Sequence, residues 1–136
     1  MSMTYQSSYV SAFGRLLIAA IFIISGLGKI AAPAMTQGYI GSVGLPAPLL
    51  AYLLAIVVEV GGGILLVIGY RTRVVAVLMA IFAVATAVFF HRDFADQNQM
   101  IHFLKNIAMA GGLLQVFAFG AGAFSVDGRL SGRGAA

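Results

Sequence analysis

The chain has 136 residues, of which 61% are hydrophobic and only 9% are charged, whereas soluble domains carry about 25% charged residues. With a mean hydropathy of +1.01, this composition excludes a soluble globular protein and indicates an integral membrane protein. The formal net charge is +4, but the Lys and Arg residues are scattered singly, so no basic surface for nucleic acid is predicted. The chain contains no cysteine, which excludes disulfides, thiolate nucleophiles and iron–sulfur ligation.

Four apolar segments are long enough to cross a bilayer, which takes about 20 residues of helix. They cover residues 12–30, 49–69, 74–90 and 100–121. The sequence therefore predicts an all-α fold, an integral membrane four-helix bundle, in which residues 1–136 form a single domain. The short connections leave no room for a separate soluble module. Residues 122–136 are mostly small or polar, and we expect them to form a mobile tail.

The first predicted span follows a Ser-rich stretch and ends before Pro33, because proline disfavours helix in the residue that precedes it. At about 3.6 residues per turn, Arg15, Phe22, Gly26 and Lys29 share one face of this helix. A polar stripe on a membrane helix is expected to face protein. The stretch also has features of a cleavable signal peptide, but Lys29 beside the small-residue site disfavours that interpretation.

The second predicted span carries a single charged side chain, Glu59, almost at its centre. An acidic residue near the bilayer midplane costs about 2.5–3.5 kcal/mol on insertion scales, and such residues usually face the bundle interior and mark a working site. Gly62 and Gly63 lie on the same face and let a neighbouring helix approach the carboxylate closely. The other members of this face are Tyr52, Ala55, Leu66 and Tyr70.

The third and fourth predicted spans differ in polarity. Thr86 is the one polar side chain of the third span, so we expect this helix to face lipid. The fourth span carries His102, Lys105 and Asn106 on one face, which we expect to point inward. That face continues through Met109, Gly112 and Val116.

The distribution of basic residues predicts the orientation of the chain in the membrane. Both termini are expected to be cytoplasmic, with residues 31–48 and 91–99 facing outward, by the positive-inside tendency. The basic residues of the predicted inner side are Arg15, Arg71, Arg73, Arg129 and Arg133. Those of the outer side are Lys29, Arg92 and Lys105, together with the acidic Asp93 and Asp96.

Depth along the helices decides which charged side chains can meet Glu59. The axial gap from Glu59 to Lys105 is roughly 7 Å at about 1.5 Å per residue, most of which a lysine side chain can cover. We therefore expect Lys29, Lys105 or both to compensate the charge of Glu59. His102 and Asn106 would complete a polar pocket that opens to the outer side.

Two further polar features leave alternatives open. Arg15 lies near the inner end of its span, where it either snorkels to the interface or turns inward towards Tyr70. His91 and His102 flank the outer loop, where a bis-His haem or metal site is conceivable. Two separate interfacial histidines are the commoner arrangement, so no metal site is predicted.

Four short motifs occur in order along the chain. They are Gly26-x-x-Lys29, Glu59-x-Gly61-Gly62, the turn at Gly69 with the arginine that follows, and Lys105-Asn106. Together they resemble the DoxX family, small four-helix membrane proteins of bacteria, over about residues 13–128. The resemblance implies a multi-pass protein of the bacterial inner (plasma) membrane. That family includes a subunit of a thiosulfate:quinone oxidoreductase and proteins of oxidative-stress complexes, which implies a quinone- or redox-linked role.

Three functional hypotheses fit these features. The favoured one is a redox-associated membrane component that binds a quinone between the first, second and fourth spans. It would act enzymatically only as a subunit of a membrane oxidoreductase, with the bilayer and a redox protein as its partners. The second is a small transporter or permeation protein for protons or a polar solute, and the third is a structural subunit in which Glu59 fixes helix register. A homodimer and a monomer are both compatible with the small-residue faces.

Overall fold

The structure is a computed structural model that describes the backbone of residues 3–134 and the side chains of residues 6–132. In this part of the chain the polypeptide is helical throughout, apart from its short connections. The helices are α1 (Met3–Ala31), α2 (Pro33–Ser42), α3 (Pro48–Ile56), a π-helical turn (Val57–Gly61), α4 (Gly62–Ile68), α5 (Thr72–Phe90), α6 (Gln97–Phe119) and α7 (Val126–Gly134).

Four of the described helical stretches are long and apolar enough to cross a membrane. They are Gln6–Ala31, Pro48–Ile68, Thr72–Phe90 and Gln97–Phe119, and the second of them comprises α3, the π-helical turn and α4. The predicted all-α membrane four-helix bundle is thereby confirmed. The first helix begins earlier than predicted, because the Ser-rich stretch continues it and the Ser11 hydroxyl donates to the carbonyl of Ala121 at 3.2 Å.

The connection between the first two spans contains a helix, α2, which the sequence did not predict. Pro33 and Pro48 occupy the first turns of α2 and α3. Proline suits that position because its fixed φ is helical and the first turn needs no N–H donor. Pro33 therefore ends one helix and also begins the next.

The tail also contains a helix, α7, which packs on the turn between α4 and α5. The backbone N–H of Asp127 donates to the carbonyl of Gly69 at 2.9 Å. The Asp127 carboxylate accepts from the N–H groups of Arg71 and Thr72 at 2.9 and 2.8 Å, at the start of α5. Mobility of residues 122–136 stays a prediction, but most of the segment has regular structure with defined contacts.

The third span, α5, is the most buried of the four, so the expectation that it faces lipid is wrong. In α5, 33% of the apolar stretch is buried, against 11% in α6. Its buried face is a stripe of small residues around Met79, namely Ala76, Ala80, Ala83 and Ala87. In a membrane, helices associate by close packing of small residues, so the lack of polar side chains did not indicate a lipid-facing helix.

An apolar layer fills the centre of the bundle. It is formed by buried side chains of α1, α4, α5 and α6, among them Phe22, Leu66, Met79 and Leu113. By position along α1, this layer lies between Arg15 on one side and Lys29 on the other. The two polar regions of the protein therefore lie at opposite ends of the bundle.

Candidate functional site

Glu59 forms an ion pair with Lys29 across the interface of α1 and the π-helical turn. The Nζ atom of Lys29 lies 2.9 Å from Oε2 and 3.0 Å from Oε1 of Glu59. Ser25, one turn before Lys29, accepts from Nζ at 2.9 Å and donates to Oε1 at 3.2 Å. The Glu59 side chain is 6% exposed and that of Lys29 27% exposed, so the carboxylate is buried while the ammonium reaches the surface of the site.

The π-helical turn carries Glu59 at its centre. Such turns are rare, insert one extra residue into a helix and often occur at functional sites. Here the turn packs against Gly26 of α1, where an added Cβ would lie 2.5 Å from Cγ2 of Val60 and 3.1 Å from Cβ of Glu59. Only glycine at position 26 allows this close approach, which brings Glu59 within reach of Lys29.

Tyr52 anchors the end of α1 that holds Lys29. This tyrosine is buried on α3, and its hydroxyl donates to the backbone carbonyl of Lys29 at 2.9 Å. The bond fixes the height of α1 relative to α3. The position of the lysine is therefore set by backbone contacts as well as by its charge.

A cavity of about 330 Å³, here called the polar chamber, lies on one side of the ion pair. Its polar lining comprises Ser25, Lys29, Glu59, Thr86, His91, His102, Lys105 and Asn106. His102 and Lys105 are exposed, so the chamber reaches the surface of the bundle on the α6 side. Its polar groups lie at the end of the bundle that the distribution of basic residues predicts to face outward.

A second cavity of about 630 Å³, here called the apolar chamber, lies on the other side of the pair. It is enclosed by α2, α3 and α5, and its apolar lining includes Met35, Ile40, Leu54, Phe82, Phe89 and Phe90. Lys29, Glu59, Phe82, Thr86 and His91 line both chambers. The ion pair therefore stands at the junction of an apolar and a polar compartment.

The structure brings five of the six candidate site residues to the polar chamber, and Lys29 is the one that pairs with Glu59. Lys105 lines the chamber without an ion pair to Glu59 among the described residues. Asn106 also lines it, and its side-chain amide donates to the backbone carbonyl of His102 at 2.9 Å. Glu59, Lys29, Lys105, His102 and Asn106 thus share one cavity, although their function stays a prediction.

Arg15, the sixth candidate, lies at the other end of the bundle. It is 1% exposed, and its guanidinium donates to the carbonyls of Leu66 and Val67 at 2.8 and 3.0 Å. A further hydrogen bond goes to the carbonyl of Phe124. The structure shows the inward orientation, with backbone carbonyls at the end of α4 as partners in place of Tyr70. The Arg15 guanidinium thus satisfies free carbonyls at the C-terminal end of α4, and it connects α1 to α4 and to the segment before α7.

His91 and His102 stack face to face at the mouth of the polar chamber. Their ring centroids are 5.1 Å apart with an angle of 29° between the planes. Burial, and then the neighbouring charge of His102, lower the pKa of His91 below its usual value. The part of the chain that the structure describes brings together no group of three or more His, Asp or Glu side chains that could hold a metal.

The sequence did not place Ser25, Thr86 and His91 in the pocket that contains Glu59, although it paired His91 with His102. Ser25 lies four residues before Lys29 and so on the same face of α1, which is a signal that the sequence does contain. Thr86 and Phe82 belong to the span that was expected to face lipid. Their part in the site follows from the burial of α5.

The sequence is similar to several known bacterial proteins. Residues 10–92 match the DoxX family. The inner membrane protein YqjF of Escherichia coli (strain K12) is 39% identical over 113 residues, which is 83% of this chain and 85% of that protein. The inner membrane protein YphA of the same organism is 40% identical over 121 residues, 85% of this chain and 86% of that protein.

A third relative shares about half of the chain. CatD of Bacillus subtilis (strain 168), whose name marks it as a proposed oxidoreductase, is 39% identical over 67 residues, 49% of this chain and 48% of that protein. No solved structure matches the chain.

Proposed function

The chain belongs to the DoxX family of inner-membrane proteins, and from that premise we propose that it binds the head of a quinone at the Lys29–Glu59 pair as part of a membrane redox system. A quinone carries two electrons and two protons between membrane enzymes. The observation that carries the proposal is the position of the pair at the junction of the apolar and polar chambers. A redox protein partner would supply or receive the electrons.

The side chains at the junction suit both forms of such a ligand. The Lys29 ammonium, which donates to Ser25 and Glu59, can turn one of its N–H groups to a quinone carbonyl, and the Glu59 carboxylate can accept from a quinol hydroxyl. Ligand sites are typically apolar cavities of about 300–1,000 Å³ with a few convergent polar groups. The apolar chamber, at about 630 Å³, has room for a ring and the first part of an isoprenoid tail.

The polar chamber would serve the protons of this ligand. His91 lines both chambers and stacks on His102, which is exposed at the mouth. A histidine whose pKa is lowered is mostly neutral at physiological pH and can accept a proton from a nearby donor. Protons could then move between Glu59 and the outer side without crossing the apolar layer.

The proposal also agrees with the relatives. CatD bears the name of a proposed oxidoreductase, and it matches this chain over about half its length. The chain itself contains no cysteine, so thiol chemistry is not part of the proposed function. An enzymatic role would belong to a complex in which this chain holds the quinone.

Permeation of protons or solutes is the alternative that the geometry favours less. A route across the membrane would have to pass the apolar layer, in which Leu66 and Leu113 are fully buried and Met79 is 1% exposed. Beyond that layer the guanidinium of Arg15 closes the far end of the bundle. The polar chamber therefore resembles a one-sided access path more than a channel.

Equilibrium binding of a short-chain quinone analogue to the purified protein in lipid nanodiscs tests the proposal. We expect saturable binding that weakens at least about tenfold in Glu59→Gln, about 1.4 kcal/mol of binding free energy. Asp96→Asn is the matched control, because Asp96 caps α6 outside both chambers and asparagine caps a helix equally well. Unsaturable binding, or equal affinity in Glu59→Gln, would contradict the proposal.

The same preparation separates the other two hypotheses. A Glu59-dependent proton or solute flux in proteoliposomes, without quinone binding, would support permeation. If both assays are negative and Glu59→Gln changes only stability, the pair is a structural element.

A further inference from the structure

A third cavity of about 460 Å³, here called the terminal cleft, lies at the end of the bundle opposite to Glu59. The start of α5, the end of α6 and α7 form its walls. Its charged lining residues are Arg71, Arg73 and Asp127, and its apolar ones include Val74, Phe119 and Leu130. The cleft therefore combines two guanidinium groups with apolar side chains. It is separate from the proposed quinone site.

The positive charge of the terminal cleft is only partly neutralised within the protein. Both oxygens of Asp127 already accept backbone N–H groups, those of Arg71 and Thr72. Within the described residues the one ion pair closer than 4.0 Å is Lys29–Glu59, so neither Arg71 nor Arg73 has a carboxylate at that distance. The Asp127 carboxylate interacts electrostatically with Arg71, and one carboxylate beside two arginines leaves an excess of positive charge in the cleft.

The two arginines are held in place by backbone features of the turn and of α6. Arg71 has a left-handed backbone with φ of 51°, and its guanidinium lies 5.8 Å from the centre of the Tyr70 ring. Arg73 reaches across to Gly120, where an added Cβ would lie 3.3 Å from both Nε and Nη2. Both side chains therefore line the same cleft.

One candidate span begins and another ends at the terminal cleft, so we infer that the cleft lies at the depth of the lipid headgroups. The span Thr72–Phe90 begins there and the span Gln97–Phe119 ends there. Phe119 is 79% exposed and Leu130 50% exposed, so apolar surface lies directly beside the guanidinium groups. A charged head next to hydrocarbon is the chemistry of a phospholipid, and basic residues close to spans attract anionic lipids.

We propose that the terminal cleft binds the phosphate of an anionic phospholipid between Arg71 and Arg73. The planar guanidinium group suits phosphate because it can donate two parallel hydrogen bonds. The acyl chains of the lipid lie along Phe119 and Leu130. Because α7 forms one wall, the bound lipid connects α7 to α5 and α6.

Native mass spectrometry of the full chain, released from nanodiscs that contain phosphatidylcholine and phosphatidylglycerol, tests this site. We expect preferential retention of phosphatidylglycerol, reduced at least about tenfold in the double variant Arg71→Gln/Arg73→Gln. Arg92→Gln is the matched control, since Arg92 is an exposed arginine in the loop at the opposite end. Equal retention in the double variant, or equal loss in Arg92→Gln, would overturn the proposal.

Two further experiments complete this test. If the double variant does not fold, Arg73→Gln and Arg73→Lys are compared, and we expect a larger loss in Arg73→Gln because lysine keeps the charge. Equal, unchanged retention in both single variants would overturn the proposal. Inorganic phosphate is then added during the exchange, and displacement of the lipid at millimolar concentration would identify a site for a soluble anion and overturn the assignment to lipid.

Discussion

At the scale of single residues, the fold places a buried carboxylate and its counter-ion at the boundary between two cavities. Removing one partner of a buried pair leaves an uncompensated charge, whereas removing both leaves none. We therefore expect Glu59→Gln and Lys29→Met each to lower the free energy of unfolding by about 3 kcal/mol. This value is at the low end of the range for breaking a buried ion pair, because Lys29 is partly exposed.

A double-mutant cycle in detergent, followed by thermal or denaturant unfolding, measures the coupling within this pair. The double variant Lys29→Met/Glu59→Gln should be less destabilised than the sum of the single variants. Lys105→Met in place of Lys29→Met is the control, because Lys105 lines the same chamber without pairing with Glu59. Additive effects for Lys29 would show that the pair is not coupled.

His91 provides a pH-dependent residue at the same site. Burial, followed by the charge of His102, lowers its pKa in the folded protein, whereas the unfolded value is about 6.5. Between these two values the unfolded chain binds more protons, so stability rises with pH across that window and is lost as pH falls below about 6.5.

Unfolding midpoints measured between about pH 7.5 and about pH 5 test the role of His91. His91→Gln should show a shallower loss of stability at the acidic end than the unchanged protein. An identical slope in the two proteins would mean that His91 does not carry the effect.

At the scale of helices, the close contact between α1 and the π-helical turn determines the geometry of the site. A Cβ at Gly26 would clash with Val60 and crowd Glu59, whereas one at Gly28 would meet no described atom within 4 Å. We expect Gly26→Ala to destabilise the protein by about 1–3 kcal/mol and to weaken quinone binding, since the two helices must move apart.

Gly28→Ala is the control for that substitution on the same helix. Alanine favours helix over glycine, so this variant should be as stable as the original protein or slightly more stable. Thermal unfolding and quinone binding are compared for both variants. Similar effects of the two substitutions would show that the contact at Gly26 is not important.

The sequence predicted individual residues better than helix contacts. The burial of Phe22, Gly26 and Glu59 was predictable, because Phe22 and Gly26 share a face with Lys29 and because a carboxylate in an apolar span is costly unless it faces the bundle interior. For Arg15 the sequence left both the interface and the interior open, and the structure shows the interior. The sequence predicted neither the burial of α5 nor the π-helical turn. Both depend on contacts between helices, and neither an alanine stripe nor a run of glycines specifies its partner.

At the scale of the whole molecule, the bundle has two different ends. One contains the two chambers, and the other contains the terminal cleft and the guanidinium of Arg15, with an apolar layer between them. The four spans were predictable from hydropathy because each is a long apolar run. The helices α2 and α7 were not, because both are short and neither is strongly apolar.

We propose that the chambers face the outer side and that both termini are cytoplasmic. Because the natural chain has no cysteine, single-cysteine variants report topology without background. Ala95→Cys, in the loop between α5 and α6, should react with a membrane-impermeant maleimide in intact cells. Gly132→Cys should react only after the membrane is permeabilised, and the reverse pattern would invert the proposed orientation.

Quinone binding at the Lys29–Glu59 pair is tested directly when a photoreactive quinone is crosslinked to the protein in nanodiscs and the adduct is located by peptide mass spectrometry. We expect adducts around Glu59, Lys29 and residues 82–91, suppressed by excess unlabelled quinone and lost in Glu59→Gln. Adducts confined to exposed residues outside both chambers, such as Leu78 and Ile81, or adducts that unlabelled quinone does not suppress, would rule out binding at this pair.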